Sequence, residues 1–264
     1  MTMSKATKPF AWSYTALTGF ENCPHRHWRT KVVKDIADPP GEAALFGQRA
    51  HKALENRVKD KTPLPESMKH YEPYCKRFEG VPGQVIVEHQ IALNKQLKPT
   101  SWFAKDAWCR GVIDVGVVSG KRALLADWKS GARKPDSSQM MLFAGLGFIA
   151  YPQVKVIDTT FIWLPDKKVD RETFRREDAA DIWGTFLPRV KRMELAYNEG
   201  PDAHPKKPSG LCGWCPVKDC EFWKPAADHL PLNNRKNNMV HTSFANLTDE
   251  ELILEVANRP KVTD

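Results

Sequence analysis

The pattern of hydrophobic and polar residues predicts three β-strands in the middle of the chain. The segments are "GQVIVEHQIAL" (83–93), "WCRGVIDVGVV" (108–118) and "RALLADWK" (122–129). The first alternates, and the other two have the β-branched or apolar content that is typical of inner strands. The apolar run "VKVIDTTFIWL" (154–164) predicts a fourth strand.

Helices are predicted before, between and after these strands. Their expected ranges are Tyr14–Asn22, 42–60, 138–150 and 171–200. Ser13 is a good N-cap for the first helix, which should end at Cys23-Pro24, and Asp136 or Ser137 can cap the third. Pro188 should perturb the last helix, because proline removes a backbone donor.

The order of the elements predicts an α/β fold with a central mixed sheet flanked by helices. After Gly200 the chain becomes rich in Pro, Gly and Cys, and "PLNNRKNNM" resembles a linker. The segment "LTDEELILEVANR" predicts a short closing helix with Thr248 as its cap. We therefore expect one domain over residues 1–228, followed by a linker and a short helix over 229–264.

The composition is that of a globular protein with a basic net charge. The chain has 264 residues, of which 41% are hydrophobic and 27% charged, and a formal net charge of +8. A basic balance favours a polyanion such as nucleic acid, and it also suits a soluble basic protein without such a partner. No apolar stretch is long enough to cross a bilayer and the N-terminus lacks the apolar core of a signal peptide, so a cytoplasmic protein is expected. Its six cysteines should then be thiols or metal ligands.

Two acids and a lysine are predicted to converge at the end of the sheet. If Gly120 and Lys121 form a two-residue hairpin turn, Asp114 lies opposite Asp127. Alternation along the strand places Asp127 and Lys129 on the same side. The simpler alternative is an edge-strand ion pair between Asp127 and Lys129, with Asp114 in a turn.

Two neighbouring carboxylates repel each other, so their placement together favours a bound cation. Oxygen ligands suit Mg²⁺ or Mn²⁺. Such an ion binds a phosphate oxygen and acidifies a water molecule, while Lys129 orients that water or neutralises charge. The expected reaction is phosphodiester hydrolysis.

The segments "GVIDVG" and "ADWKSG" resemble the G-x-x-D and D-x-K-[ST]-G motifs of the PD-(D/E)XK nucleases, specifically their RecB-like exonuclease branch. That branch includes the CRISPR-associated iron-sulfur nucleases. The resemblance implies a restriction-endonuclease-like core in which Asp114 and Asp127 bind the metal. The backbone carbonyl of Trp128 is implied as a further ligand, and Lys129 assists the attacking water.

Three other segments resemble motifs of the same branch. "SYTALTGFENCPHRHW" is similar to its opening helix, and "FGQRAHKALE" to its Gly-x-x-x-His motif, which implies His51 as a further metal ligand. "QMMLF" resembles its Q-x-x-x-Y motif, which places Gln139 near the DNA backbone, although Phe143 replaces the tyrosine. Glu88, at the end of "QVIVE", is either an additional carboxylate of the site or an ordinary strand-end acid.

A cysteine cluster follows the predicted nuclease core. Cys212, Cys215 and Cys220 have C-x2-C-x4-C spacing in a loop rich in Gly and Pro, which suits a metal site. The resemblance supplies Cys23 as the fourth ligand and a [4Fe-4S] cluster, forming a clasp between the N- and C-terminal regions. The spacing also fits zinc, with His25 or His27 as an alternative ligand.

Together these features predict a metal-dependent DNA nuclease. By resemblance it is an exonuclease on single-stranded or end-containing DNA, serving recombination, repair or phage DNA processing. Basic residues in "GARKP" and "PHRHWR", with Trp28, Trp102 or Trp108 as stacking surfaces, are candidate DNA contacts. The alternatives are a non-catalytic DNA-binding or assembly subunit with the same fold and a sequence-specific endonuclease. The closing helix is a candidate contact for a protein partner.

Overall fold

A six-stranded sheet forms the centre of the computed structural model, which describes residues 8–133 and 138–224. The strands are β1 (Gln84–Leu93), β2 (Pro99–Thr100), β3 (Cys109–Ser119), β4 (Arg122–Lys129), β5 (Val156–Trp163) and β6 (Lys168–Arg175). Their order across the sheet is β2-β1-β3-β4-β5-β6. Only β4 and β5 are parallel, because α5 connects them; the other pairs are antiparallel. The predicted mixed sheet is therefore confirmed.

The α-helices are α1 (Tyr14–Asn22), α2 (Pro24–His27), α3 (Glu42–Asp60), α4 (Glu72–Lys76), α5 (Ser138–Ala150) and α6 (Ala179–Glu199). The hydroxyl of Ser13 accepts a hydrogen bond from the Ala16 amide, as its predicted capping role requires. A π-helical stretch, Trp28–Val33, continues α2, and 3-10 turns lie at Glu66–Tyr71, Arg176–Asp178, Pro201–Ala203 and Gly210–Trp214. No helix in these described ranges is long and apolar enough to cross a membrane.

The sheet divides the hydrophobic core into two layers. The α5 layer lies between the sheet and α1, α5 and α6, and contains Leu17, Leu125 and Phe186. The α3 layer lies between the opposite face and α3 and α4, and contains Leu54 and Trp128. Side chains at the carboxyl end of β4 can thus be approached by helices from both faces.

The predicted helix over 171–200 is wrong in its first part. Residues up to Arg175 belong to β6, which pairs with β5 from Val156↔Arg175 to Trp163↔Lys168. The segment is polar and charged because β6 is an outer strand and most of its side chains are exposed or half-buried. The helix itself begins at Ala179 and continues through Pro188.

The hairpin between β3 and β4 has the predicted register. Its pairs run from Ser119↔Arg122 to Val115↔Ala126, and Gly120 takes a φ of 56° in the turn. The next level along this register brings Asp114 beside Asp127. Four predictions lie outside the described residues. They are the cap from Asp136 or Ser137, the domain boundary at residue 228, the linker and the helix that begins at Thr248.

Candidate active site

The two acids of the hairpin are both buried. Asp114 is 8% exposed and Asp127 is 5% exposed. Oδ2 of Asp114 accepts a hydrogen bond of 2.8 Å from the backbone amide of Trp128. This bond fixes Asp114 against the chain between Asp127 and Lys129.

Burial changes the protonation of both acids. Burial, followed by the neighbouring Asp127 charge, raises the pKa of Asp114 to about 8. Burial also raises the pKa of Asp127, against the opposing charge of Lys129. Buried carboxylates of this kind are costly to ionise without a cation, so the pair is suited to holding one.

Lys129 is held by two polar neighbours on the same side of β4. Its Nζ donates a 2.7 Å hydrogen bond to Oε1 of Gln139, whose Nε2 donates at 3.0 Å to Oδ1 of Asp127. Nζ also lies 2.7 Å from Oδ2 of Asp127, so the two side chains form an ion pair. Gln139 therefore bridges the acid and the base.

His51 reaches the same acids from the other face of the sheet. Its Nδ1 lies 3.3 Å from Oδ2 of Asp114. The close approach of α3 depends on Gly47, since a Cβ there would stand 2.6 Å from Oγ of Ser130. Burial lowers the pKa of His51, so the imidazole is favoured in the neutral form that a metal requires.

Glu88 completes a group of ligand atoms. One ligand atom each from His51, Glu88 and Asp114 lies within 4.8 Å of the others, which makes Glu88 the third member of a metal-binding arrangement. Burial raises the pKa of Glu88, as it does for Asp114. Of the two interpretations of Glu88, its position favours the additional carboxylate.

The structure thus brings together the residues that the sequence analysis singled out for the metal and the water. They are His51, Glu88, Asp114, Asp127, the backbone of Trp128, Lys129 and Gln139. Gln139 lines the groove beside the acids, and its amide hydrogen-bonds to Lys129 and Asp127, while its contact with the DNA backbone stays a prediction. Nothing in the sequence indicates that Gln139 bridges Lys129 and Asp127, because this contact depends on the packing of α5 beside β4.

An open groove of about 490 Å³ leads to the acids. It is lined in part by Tyr14, Trp102, Arg110, Asp114, Asp127, Gln139 and Phe143. Phe143 is buried in the wall, where the family's tyrosine would offer a hydroxyl. Trp28 and Trp108 are also buried, which leaves Trp102 as the groove-lining member of the predicted stacking surfaces.

The predicted basic contacts carry ion pairs in the structure. Arg26 pairs with Asp38, and Arg29 pairs with Asp35 and Asp219. Arg133 donates to Asp170 at 2.9 Å. These pairs stabilise the local fold, so DNA binding by these arginines would have to compete with an existing partner.

The four cysteines of the predicted clasp line one cavity. Cys23 lies there with Cys212, Cys215 and Cys220. Burial raises the pKa of the Cys215 thiol, and Cys23 and Cys212 are close enough to raise it further. No three of these sulfurs lie within 4.8 Å of one another in the described part of the chain. Cys75 and Cys109 are buried thiols outside this cavity.

A model of the PD-(D/E)XK nuclease superfamily matches residues 11–220. The chain belongs to the PD-(D/E)XK nuclease superfamily. Members of this superfamily are generally nucleases that use divalent metals, and the matched region contains every residue of the candidate site.

Two further comparisons accompany this assignment. The crystal structure of SSO0001 is similar to the chain with a TM-score of 0.37 and 12% sequence identity, over 83% of this chain and 89% of that one. Among curated proteins, no sequence matches.

Proposed function

We propose that the protein is a metal-dependent DNA exonuclease of the RecB-like branch, acting on single-stranded or end-containing DNA in recombination, repair or phage DNA processing. The observation that carries the nuclease proposal is the His51–Glu88–Asp114 ligand group beside the Asp127–Gln139–Lys129 network. The exonuclease and branch assignments are supported by the G-x-x-x-His and D-x-K-[ST]-G motifs.

The donor set fits Mg²⁺ or Mn²⁺, with His51, Glu88, Asp114, Asp127 and the Trp128 carbonyl as the residues that would hold it. Carboxylate oxygens suit both ions, and an imidazole ligand suits Mn²⁺ better than Mg²⁺. When bound, the ion would polarise the phosphate and lower the pKa of a water molecule. The grouping of one ligand atom each from His51, Glu88 and Asp114 within 4.8 Å of one another is consistent with this role.

Lys129 is the residue of the chain that acts on the reacting atoms. Gln139 and Asp127 fix its ammonium group, which then orients the attacking water and stabilises negative charge on the phosphate. Hydrolysis forms a bond between the water oxygen and phosphorus and breaks the bond from phosphorus to the leaving oxygen. The water loses one proton and the leaving oxygen gains one.

We also propose that Cys23, Cys212, Cys215 and Cys220 hold a structural [4Fe-4S] cluster, with zinc as the alternative. Their shared cavity supports a common ligand. Four thiolates suit either an iron-sulfur cluster or zinc, so the preference for iron-sulfur is supported by the family resemblance alone. Either centre would join the end of α1 to the segment after α6 and so close a long loop.

The proposal is tested by digestion of end-labelled linear single-stranded and duplex DNA, beside closed circles, with Mg²⁺, Mn²⁺ or EDTA. Wild type is compared with Lys129→Ala and with Lys59→Ala, which removes an exposed lysine from α3. We expect metal-dependent loss of linear DNA that Lys129→Ala abolishes and Lys59→Ala retains. Cutting of closed circles at discrete positions would indicate an endonuclease, and binding without cleavage under any metal would indicate a DNA-binding subunit.

A further inference from the structure

A large aromatic ring stands in water next in the chain to a residue that lines the active-site groove. Phe103 is 89% exposed, far more than the other exposed large hydrophobic residues of the described chain, of which Trp214 is next at 59%. Its neighbour Trp102 lines the groove that contains Asp114 and Asp127. Phe103 is therefore an exposed aromatic residue one position along the chain from the groove lining.

The loop that carries Phe103 is held in place by hydrogen bonds. The amide of Ala104 donates to the Ser101 carbonyl at 3.0 Å, and the amide of Ala107 donates to the Ala104 carbonyl at 3.1 Å. The hydroxyl of Thr100, in β2, donates to Asp106 at 2.9 Å. These bonds hold the backbone of the aromatic loop (residues 101–107) in one conformation.

The base of the aromatic loop is fixed by a cation that also lines the groove. Nε of Arg110 donates a 2.9 Å hydrogen bond to the Trp102 carbonyl, and its guanidinium lies 5.8 Å from the centre of the Trp102 ring. Arg110, Trp102 and the acids therefore share one groove. A cation beside aromatic surfaces is the combination that binds the phosphates and the bases of a single strand.

We propose that Trp102 and Phe103 stack an unpaired base of the DNA strand whose backbone enters the groove. This inference rests on the proposed nuclease function and deepens it, since it identifies the substrate as a single strand or a frayed end. A base within a duplex is already stacked on its neighbours, so its faces are closed to Phe103 unless it is first unpaired. Stacking of that base would also determine which phosphate of the DNA strand lies beside Asp114 and Asp127.

The test measures binding without cleavage, in the Lys129→Ala background, by fluorescence anisotropy with a short single-stranded oligonucleotide. Stacking on an aromatic residue contributes about 1–3 kcal/mol per base, so Phe103→Ala should weaken binding about 5- to 100-fold. Phe103→Trp should retain the affinity. Leu195→Ala, which truncates a half-exposed side chain on α6, is the control and should bind as the parent does.

A set of oligonucleotides with one abasic position each separates stacking from other effects. At the position that Phe103 stacks, removal of the base should weaken binding to the parent, and Phe103→Ala should then cause no additional loss. If the Lys129→Ala protein and its Phe103→Ala variant bind intact strands with equal affinity, the proposal is overturned. A contact with another protein would then be the alternative explanation for the exposed ring. Equal losses on intact strands and on every abasic strand would overturn the proposal as well.

The outcome is independent of whether the wild-type protein cuts DNA. Wild type that binds single strands through Phe103 but never cleaves would refute the nuclease proposal and retain the stacking site. Wild type that cleaves, with binding insensitive to Phe103, would refute the stacking site alone. Because Phe103 is exposed, its substitution should leave the thermal unfolding midpoint unchanged, which verifies that the variant is folded.

Discussion

Glu88 lies opposite Asp114 across strands β1 and β3, with its backbone in the left-handed region at a φ of 46°. The neighbouring pairs Val87↔Val115 and His89↔Ile113 fix this position. Both strands change faces there: Val115 packs in the α3 layer, whereas Ile113, two residues away, packs in the α5 layer. A glutamate in this conformation is strained, and such strain is concentrated at functional sites.

Glu88→Gln tests the ligand group directly. The substitution keeps the size of the side chain and removes the charge, so we expect about tenfold weaker Mn²⁺ binding, measured by isothermal titration calorimetry. Glu199→Gln, which removes an exposed carboxylate at the end of α6, is the control. Unchanged Mn²⁺ affinity in Glu88→Gln would exclude Glu88 from the site.

Gln139→Leu distinguishes a positioning residue from a DNA contact. Leucine has a similar volume but cannot bridge Lys129 and Asp127, so we expect kcat to fall about 10- to 100-fold while KM for DNA is retained. A raised KM with an unchanged kcat would instead support the contact with DNA backbone that the motif implies. Gln139→Glu should not restore kcat, because a carboxylate cannot donate to Asp127.

Gly47→Ala tests the approach of α3 to the end of β4. The added methyl group would meet Oγ of Ser130 at 2.6 Å, and crowding of this kind costs about 1–3 kcal/mol of unfolding free energy. Adding Ser130→Ala should restore stability, because the nearest remaining atom, the Ser130 Cβ, would be at 3.5 Å. Urea unfolding of the single and double variants measures both effects; a Gly47→Ala variant as stable as wild type would refute the contact.

The metal-free protein should lose stability as the pH rises. The folded state holds a proton on Asp114 up to a pKa of about 8, whereas the unfolded chain releases it near 3.8. Between these values the folded state binds more protons, so the free energy of unfolding falls with rising pH. Asp114→Asn should flatten this dependence in EDTA and be the more stable protein near pH 8. Parallel pH profiles for the two proteins would contradict the raised pKa.

Cys212→Ala should lower the bound metal and the soluble yield together, because the cluster would join distant parts of the chain. Cys75→Ala, at a buried thiol outside the clasp, should keep the metal content of wild type. Metal analysis and the visible spectrum of anaerobically purified protein measure the effect, and bound zinc in place of iron would identify the alternative centre. Wild-type metal content and yield in Cys212→Ala would refute the clasp.

The sequence was sufficient for features that depend on local geometry. A glycine at the start of a two-residue turn specified the β3–β4 register, and that register placed Asp114 beside Asp127. Ser13 similarly marked the first residue of α1. Each of these features is determined by a few neighbouring residues.

Features that depend on tertiary packing were not predictable in the same way. The segment that forms β6 contains good helix formers, and its strand conformation is determined by pairing with β5. No sequence pattern predicts the left-handed backbone conformation of Glu88, because glutamate does not favour positive φ values. The bridge made by Gln139 likewise requires α5 to lie beside β4.

Strands β1 and β3 change the face that their side chains point to at Glu88 and Asp114. The candidate active site is therefore sensitive to the distance between the helices on the two faces of the sheet. α3 supplies His51 from one side of the sheet and α5 supplies Gln139 from the other, and both meet the same pair of acids. A displacement of α3 would move His51 away from Asp114, whereas α5 is buried between the sheet and α6 and holds Gln139 against Asp127. The geometry around the acids is therefore easier to change from the α3 side than from the α5 side.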